Sequence, residues 1–151
     1  MRIRLALAWV DSEGPVRRSA FKTPAGEWID RYAVQLRPDH AFAVTGLSAQ
    51  FEKKPRTLVW LCDRKDGTSA SSEEAARRLA RASASAATEL IVAVGPPDGW
   101  SAAWRDRLRP DWVWSFGALT LPHELAAVVA AEQIYRAWSI LKGKPYHDAH
   151  R

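Results

Sequence analysis

The sequence predicts an α/β protein whose sheet contains parallel strands, and two observations carry this prediction. Short apolar runs typical of buried strands alternate along the chain with patterns typical of helices, an order that favours parallel pairing. The 151 residues fit one domain of ordinary size, and the 47% of them that are hydrophobic suffice for a core. Since no repeat, low-complexity segment or linker divides the chain, a single domain over residues 1–151 is predicted.

Five apolar runs predict the strands. The first run alternates arginine with aliphatic residues before it turns fully apolar, and the later runs are short and continuous, as in strands buried on both faces. The predicted strands cover residues 2–10, 41–47, 57–62, 89–94 and 111–117.

Capping residues mark the predicted helices. Thr23-Pro24 places an N-cap before a proline at the first helical position, and Ser71 with Glu74 forms a capping box. The predicted helices cover residues 24–36, 72–87, 101–108 and 122–142. On the last helix, apolar residues at helical spacing predict a stripe that packs on the core or on a second subunit. This stripe consists of Leu125, Val128, Val129, Tyr135, Trp138 and Leu141.

Charge and cysteine content narrow the function classes. The chain has 22 Lys+Arg against 17 Asp+Glu, and this excess favours anionic partners such as nucleic acid. Cys62 is the only cysteine, so neither an internal disulfide nor a cysteine-based metal site is expected. Arg4 and the following "DSEGP" argue against a signal peptide, and no apolar run reaches the ~18 residues of a membrane span. We therefore expect a soluble cytoplasmic protein without a membrane partner.

Several common sites are missing from the sequence. Neither the glycine-rich dinucleotide motif nor the phosphate-binding loop of nucleotide hydrolases occurs, and there is no serine nucleophile elbow. His147 and His150 lie three residues apart, but no further ligand accompanies them, so no metal is expected. These absences exclude dinucleotide-dependent dehydrogenases and P-loop nucleotide hydrolases.

The loops that follow the predicted strands are the expected ligand-binding region. In open α/β sheets, ligands bind beyond the carboxyl ends of the strands, here after Cys62, after Val94 and after Phe116. The loop at residues 95–99, "GPPDG", is rigid at its centre and permissive at its two glycines. It forms either a tight turn or a wall that lets a ligand approach the backbone at Gly95.

Two positions of the last helix are candidates for chemistry. His123 falls in its first turn, where the helix dipole disfavours an imidazolium, so the ring should stay neutral and able to accept a proton. The alternative is a histidine that packs on the core surface. Glu132 and Arg136 form an i,i+4 pair, which stabilises a helix, although Arg136 could instead contact an RNA phosphate.

The last 37 residues contain three specific motifs: "SFGALTLPH", "EQIYRAWSI" and "KPYH". Together they resemble the end of the RlmH family, the pseudouridine methyltransferases of the large ribosomal subunit in the SPOUT superfamily. A weaker resemblance extends back through "IVAVGPPDGW" and "LVWLCDR", so the better matched part covers residues 57–151.

The resemblance implies a fold and a cofactor site. It implies a SPOUT-type sheet with helices on both faces, a C-terminal trefoil knot, a homodimer, and S-adenosylmethionine bound in the knot. The family's threaded segment matches residues 116–121, and two further contacts match Leu61 and Gly95 at the ends of the preceding strands. The implied cofactor contacts of the threaded segment are Phe116, Gly117, Ala118, Leu119, Thr120 and Leu121.

The resemblance also implies a reaction, the methylation of N3 of a pseudouridine in the helix 69 loop of 23S rRNA within the assembled ribosome. His123 or His147 would accept the imide proton or orient a water. Tyr146 and His147 would lie over a cofactor pocket, that of the partner subunit, where an aromatic ring and an imidazole suit an unstacked base. Arg136 completes the set of implied catalytic residues.

The chain departs from the family in two places. The family has Gly-Gly-Pro-Glu-Gly where this chain has "GPPDG", and Pro96 removes a backbone donor there. The N-terminal half, residues 1–56, matches poorly, and the helix before the third strand is reduced to residues 48–56. Two alternatives therefore stay open: a non-catalytic relative that binds the ribosome or RNA, and a SPOUT methyltransferase with another RNA target.

Overall fold

The computed structural model describes residues 1–150, which fold around a six-stranded sheet. All its strand pairs are parallel and follow the spatial order β2-β1-β5-β3-β6-β4, so the predicted parallel sheet is confirmed. The strands are β1 (Arg2–Leu7), β2 (Phe42–Gly46), β3 (Thr57–Cys62), β4 (Thr68–Ser69), β5 (Glu89–Val94) and β6 (Trp112–Ser115). The sequence did not predict β4, because its two residues are polar and exposed.

Helices cover both faces of the sheet, as predicted. They are α1 (Ala25–Leu36), α2 (Ser72–Ala84), α3 (Ala102–Leu108), α4 (His123–Leu141) and α5 (Tyr146–Ala149). One face carries the larger core, where the first, second and fourth helices pack on the strands. The other face carries a smaller core, which includes Leu108 of α3 together with Leu47 and Phe51. A 3₁₀ turn at Arg18–Ala20 precedes α1.

Local hydrogen bonds determine where several helices and strands begin and end. The capping interaction at α2 is confirmed, because the Ser71 side chain accepts from the backbone N–H of Glu74 at 3.1 Å. That helix ends at Ala84, three residues before the predicted end, because the Ser85 hydroxyl donates to the Ala82 carbonyl at 2.7 Å. The first strand ends before residue 10, because the chain turns there and the Val10 N–H donates to the Leu7 carbonyl.

The apolar stripe predicted for the last helix is only partly the packed face. The buried side of α4 is rich in small residues, and the two leucines of the predicted stripe, Leu125 and Leu141, are 46% and 43% exposed. The helix lies between α1 and α2, so small side chains let the three helices approach one another. The buried α4 residues include Ala127, Ala130, Ala131, Ile134, Ala137 and Trp138.

Tryptophans fill much of the larger core. The Trp60 ring packs edge-on against Trp112 and Trp114, whose rings stack on each other with centroids 4.8 Å apart. The Trp138 indole donates to the Asp39 carboxylate at 2.7 Å, so a buried ring keeps its polar atom paired.

The N-terminal half contributes the first helix and two strands of the same sheet. Arg4 of β1 is buried and donates to the Thr45 hydroxyl at 2.6 Å, and it forms an ion pair with Glu13. Residues 48–56, where a reduced helix was expected, are irregular. Among residues 1–150, no helix has both the length and the apolar character that a membrane crossing requires.

Candidate functional site

Three loops meet around a cavity of about 730 Å³ at one edge of the sheet. They leave the carboxyl ends of β3, β5 and β6, which lie side by side because these strands are parallel. The three loops that were expected to bind a ligand therefore border one cavity.

The segment between β6 and α4 forms the first wall. It carries most of the residues that the resemblance assigns to the cofactor, and five of those six line the cavity, whereas Ala118 is exposed and does not. The Ser115 hydroxyl accepts the Gly117 N–H at 3.1 Å, and Gly117 has a φ of 106°, which favours glycine. The lining residues of this segment are Phe116, Gly117, Leu119, Thr120 and Leu121.

The loop after β5 forms the second wall. The Gly99 N–H donates to the Pro96 carbonyl at 2.9 Å, so the two prolines lie inside a closed turn. The next residue, Trp100, turns back toward the sheet and donates its indole N–H to the Cys62 carbonyl at 2.8 Å. Gly95 lines the cavity, and the Trp100 ring packs directly on it.

The loop after β3 forms the third wall and is charged. Arg105 of α3 forms an ion pair with Asp63 and a second one with Asp66 at 3.0 Å, and all three line the cavity. Leu61 is fully buried in the smaller core and does not line the cavity, so its part in cofactor binding stays a prediction. Its neighbour Cys62 does line it, and burial, with the charge of Asp63, raises the pKa of that thiol.

His123 borders the cavity where α4 begins. Its ring lies edge-on to Trp9, with centroids 4.5 Å apart. The next residue, Glu124, is buried and accepts the backbone N–H groups of Lys22 and Thr23 at 2.9 and 3.0 Å. Burial opposes ionisation of this carboxyl, but those bonds and one from the Thr23 hydroxyl outweigh it and lower the pKa of Glu124. The first turn of α4 is therefore anchored to the chain ahead of α1.

The other three predicted catalytic residues form a separate network. Arg136 donates to His147 Nδ1 at 3.0 Å and pairs with Glu132 at 2.8 Å, which confirms the predicted i,i+4 pair. The Tyr146 hydroxyl donates to the same glutamate at 3.1 Å. Because an arginine can only donate, His147 Nδ1 is the acceptor and its Nε2–H faces Glu73 at 2.9 Å. The tail is thus a short helix docked on α4.

The structure does not bring the four predicted catalytic residues together within one chain. Arg136 follows His123 by 13 residues on one straight helix, a rise of about 20 Å. None of the tail residues that the structure describes lines the cavity. Within residues 1–150, no group of three or more His, Cys, Asp or Glu side chains is placed to hold a metal ion.

Sequence reasoning missed several residues of the cavity wall, among them Asp63, Trp100 and Arg105. A signal for the first two was present, because each directly follows a strand or loop that was expected to border the ligand. Arg105 gave no signal, since it lies within a short helix.

Comparison with known proteins adds to this geometry. The sequence model of the family described as "Predicted SPOUT methyltransferase" matches residues 25–147. Ribosomal RNA large subunit methyltransferase H of Koribacter versatilis is 34% identical over 155 residues, which cover 98% of this chain and 100% of that protein. The chain belongs to this family of SPOUT methyltransferases.

Two further relatives of the same name are more similar over shorter stretches of the chain. The protein of Coxiella burnetii is 61% identical over 58 residues, 38% of this chain and 36% of its own length. The protein of Mesorhizobium japonicum is 40% identical over 104 residues, 69% of this chain and 63% of its own length. The match to the family model begins at residue 25 and therefore includes α1 and β2.

Proposed function

We propose that this protein transfers the methyl group of S-adenosylmethionine to N3 of a pseudouridine in the helix 69 loop of 23S rRNA, within the assembled ribosome. The cavity at the carboxyl ends of β3, β5 and β6 carries the proposal, because residues 116–123 run from strand to helix along its wall without a spacer. Membership of the SPOUT methyltransferases supplies the reaction class, and the relatives' name supplies the large-subunit rRNA.

The cavity suits this cofactor in size and chemistry. Its volume of about 730 Å³ lies within the usual range of small-molecule sites, about 300–1,000 Å³. Apolar side chains on the first wall, Phe116 and Leu121, suit an adenine ring. When bound, S-adenosylmethionine supplies an electrophilic methyl group. Gly95 and the backbone of residues 116–121 are the proposed contacts.

The reaction needs a proton acceptor, because N3 of a pseudouridine carries an imide proton that the methyl group replaces. His123 is the first candidate, since it borders the cavity and its ring is held by Trp9. His147 is the second candidate, and Tyr146 would stack on the base that leaves the RNA. Arg136 positions His147 through their hydrogen bond.

A homodimer would bring these two groups together. The exposed side chains of Trp28 on α1 and Leu125 on α4, with Val128, line an apolar groove of about 470 Å³. Burial of this groove against a second copy would remove it from water and could carry the tail of one subunit to the cavity of the other.

Light scattering tests the homodimer. The wild-type protein should be a dimer at micromolar concentration, and Leu125→Asp should dissociate it, because a charge in a buried apolar contact is unfavourable. Ala103→Asp, on the opposite face of the sheet, is the control and should remain a dimer. A wild-type protein that is a stable monomer contradicts this part of the proposal.

The proposed fold includes a deep trefoil knot in residues 57–151, with residues 116–121 as the threaded segment. Membership of the SPOUT methyltransferases supports this part of the proposal. A ribosomal substrate also implies that the protein acts in the cytoplasm.

Arg64 and Lys65 are exposed at the cavity wall, where they can contact RNA phosphates.

The decisive assay offers the enzyme labelled S-adenosylmethionine and two ribosome preparations, one with the pseudouridine and one without it. We expect label only in the first preparation, at one site in helix 69. Equal labelling of both, or of neither, contradicts the proposed substrate. Calorimetry separates the non-catalytic alternative, for which RNA binding would persist without any binding of S-adenosylmethionine.

A further inference from the structure

Trp100 connects two of the three cavity loops. Its indole N–H donates to the carbonyl of Cys62, the last residue of β3, at 2.8 Å. Its ring lies against Gly95, the first residue after β5. Where a strand leaves the sheet, its last carbonyl needs a hydrogen-bond partner other than a neighbouring strand. The Trp100 indole is that partner here, so this bond fixes the position at which the chain leaves β3.

The helix that follows Trp100 reinforces this connection. The Ser101 hydroxyl caps α3 by accepting the Trp104 N–H at 3.2 Å, so the helix begins directly at the cavity wall. One turn later, Arg105 forms its ion pairs with Asp63 and Asp66 in the loop after β3. The start of α3 is therefore attached to that loop through one neutral and two charged contacts.

The contact between Trp100 and Gly95 leaves no room for a side chain at position 95. A Cβ atom there would lie 2.9 Å from the indole nitrogen and 3.1 Å from Cε2, closer than van der Waals contact allows. The resemblance assigns Gly95 to the close approach of the cofactor, whereas this geometry gives a second reason for the glycine.

We propose that Trp100 is a positioning residue of the cofactor site. Its indole sets the separation between the loops after β3 and β5, and residue 95 is glycine so that this indole can lie on it. The inference rests on the proposed function, because it assumes that S-adenosylmethionine binds between these loops.

The first test replaces Trp100 by phenylalanine, which keeps an aromatic ring and removes the N–H donor. We expect the dissociation constant for S-adenosylmethionine, measured by calorimetry, to rise about tenfold, as the loss of one neutral hydrogen bond permits. The KM for the cofactor should rise with it, while kcat at saturating cofactor stays within about twofold. Trp104→Phe, at the adjacent tryptophan, is the matched control and should leave the affinity unchanged.

The second test is a double-mutant cycle with Gly95→Ala in the wild-type and Trp100→Leu backgrounds. If the indole is the reason for the glycine, Gly95→Ala should weaken cofactor binding strongly in the wild type and only slightly beside leucine. An equal loss in both backgrounds means that the glycine serves the cofactor directly, and it overturns that part of the inference. Thermal unfolding of each variant separates a local change from a loss of fold.

The outcomes for the wild type and for Trp100→Phe separate the two proposals. If the wild type binds S-adenosylmethionine and Trp100→Phe binds it equally well, the positioning role is wrong and the proposed function stands. If the wild type binds none, the proposed function fails and the inference fails with it.

Discussion

The two ends of α4 carry two groups of predicted functional residues, and different contacts hold them in place. At the first end, His123 borders the cavity and lies against Trp9, while the buried Glu124 anchors the helix to the chain before α1. Further along, Arg136 joins the tail residues Tyr146 and His147 through side-chain bonds at a half-buried surface. The rise between the two groups is about 20 Å.

This difference indicates how complete each group is within one chain. The first group is held by the core and by long-range contacts, so its geometry is set before any ligand binds. The second group satisfies its own charges, because Arg136 pairs with Glu132 and His147 faces Glu73. To act on RNA at a cavity, the second group needs the cavity of another copy or a different position of the tail.

The largest effect is expected when the tail residues of the second group are deleted and the first group is left intact. Deletion of residues 146–151 should lower the methylation of ribosomes by two orders of magnitude or more, because only the positioning of the RNA base is lost. Cofactor affinity by calorimetry and the dimer by light scattering should stay nearly unchanged. Removal of Arg151 alone is the control and should retain full activity. If the truncated protein methylates at nearly the full rate, the tail has no part in the reaction.

The next effect concerns the other end of the helix. His123→Gln should lower methylation about 100-fold, since a lost general base typically costs 10²–10⁴ in rate. The dissociation constant for S-adenosylmethionine should change by less than about threefold. His40→Gln is the matched control, because His40 Nδ1 lies 3.1 Å from the Met1 carbonyl and outside the cavity. Retained activity in His123→Gln would shift the role of proton acceptor to His147.

A smaller effect tests the anchor of the first group. The pKa of Glu124 is lowered in the folded protein, so its carboxylate stabilises the fold above the unfolded value of about 4.3, and this contribution is lost as the pH falls through the folded value. Glu124→Gln should therefore lower the free energy of unfolding by about 1–3 kcal/mol at pH 7. The difference from wild type should shrink toward pH 3, as measured by urea denaturation. Equal stability at pH 7 would show that the anchor contributes nothing.

The smallest effect compares the cavity wall with the tail by their dependence on pH. Burial raises the pKa of the Cys62 thiol, and burial with the charge of Glu132 raises the pKa of the Tyr146 phenol. Each group stays protonated in the fold, so each contribution is present below its unfolded pKa and is lost as the pH rises. The Tm of the wild type should begin to fall near pH 8.5 because of Cys62, and Cys62→Ala should not show this fall. A second fall should begin near pH 10 because of Tyr146, and it should be absent in Tyr146→Phe. Each change should be a few degrees in Tm, and identical alkaline profiles for wild type and variants would contradict both assignments.

The sequence by itself determined the α/β class, the parallel pairing and the three loops that border the cavity. It did so because the period of apolar residues reports local structure, and parallel strands necessarily bring their carboxyl ends to one edge. The motifs "ALTLPH" and "EQIYRAWSI" also predicted the family. Residues 2–7, 57–62 and 89–94 are strands much as predicted, and the predicted elements that formed differ mainly at their ends, where caps and turns decide. The two-residue strand β4 was missed, and residues 48–56 do not form the reduced helix that was expected.

Only the tertiary structure decided which side chains meet. Trp100 reaches the Cys62 carbonyl across 38 residues of chain, and Arg105 reaches Asp63 across 42, distances over which no local pattern reports contact. The buried face of α4 is likewise a tertiary outcome, since two neighbouring helices select alanines there and leave Leu125 exposed.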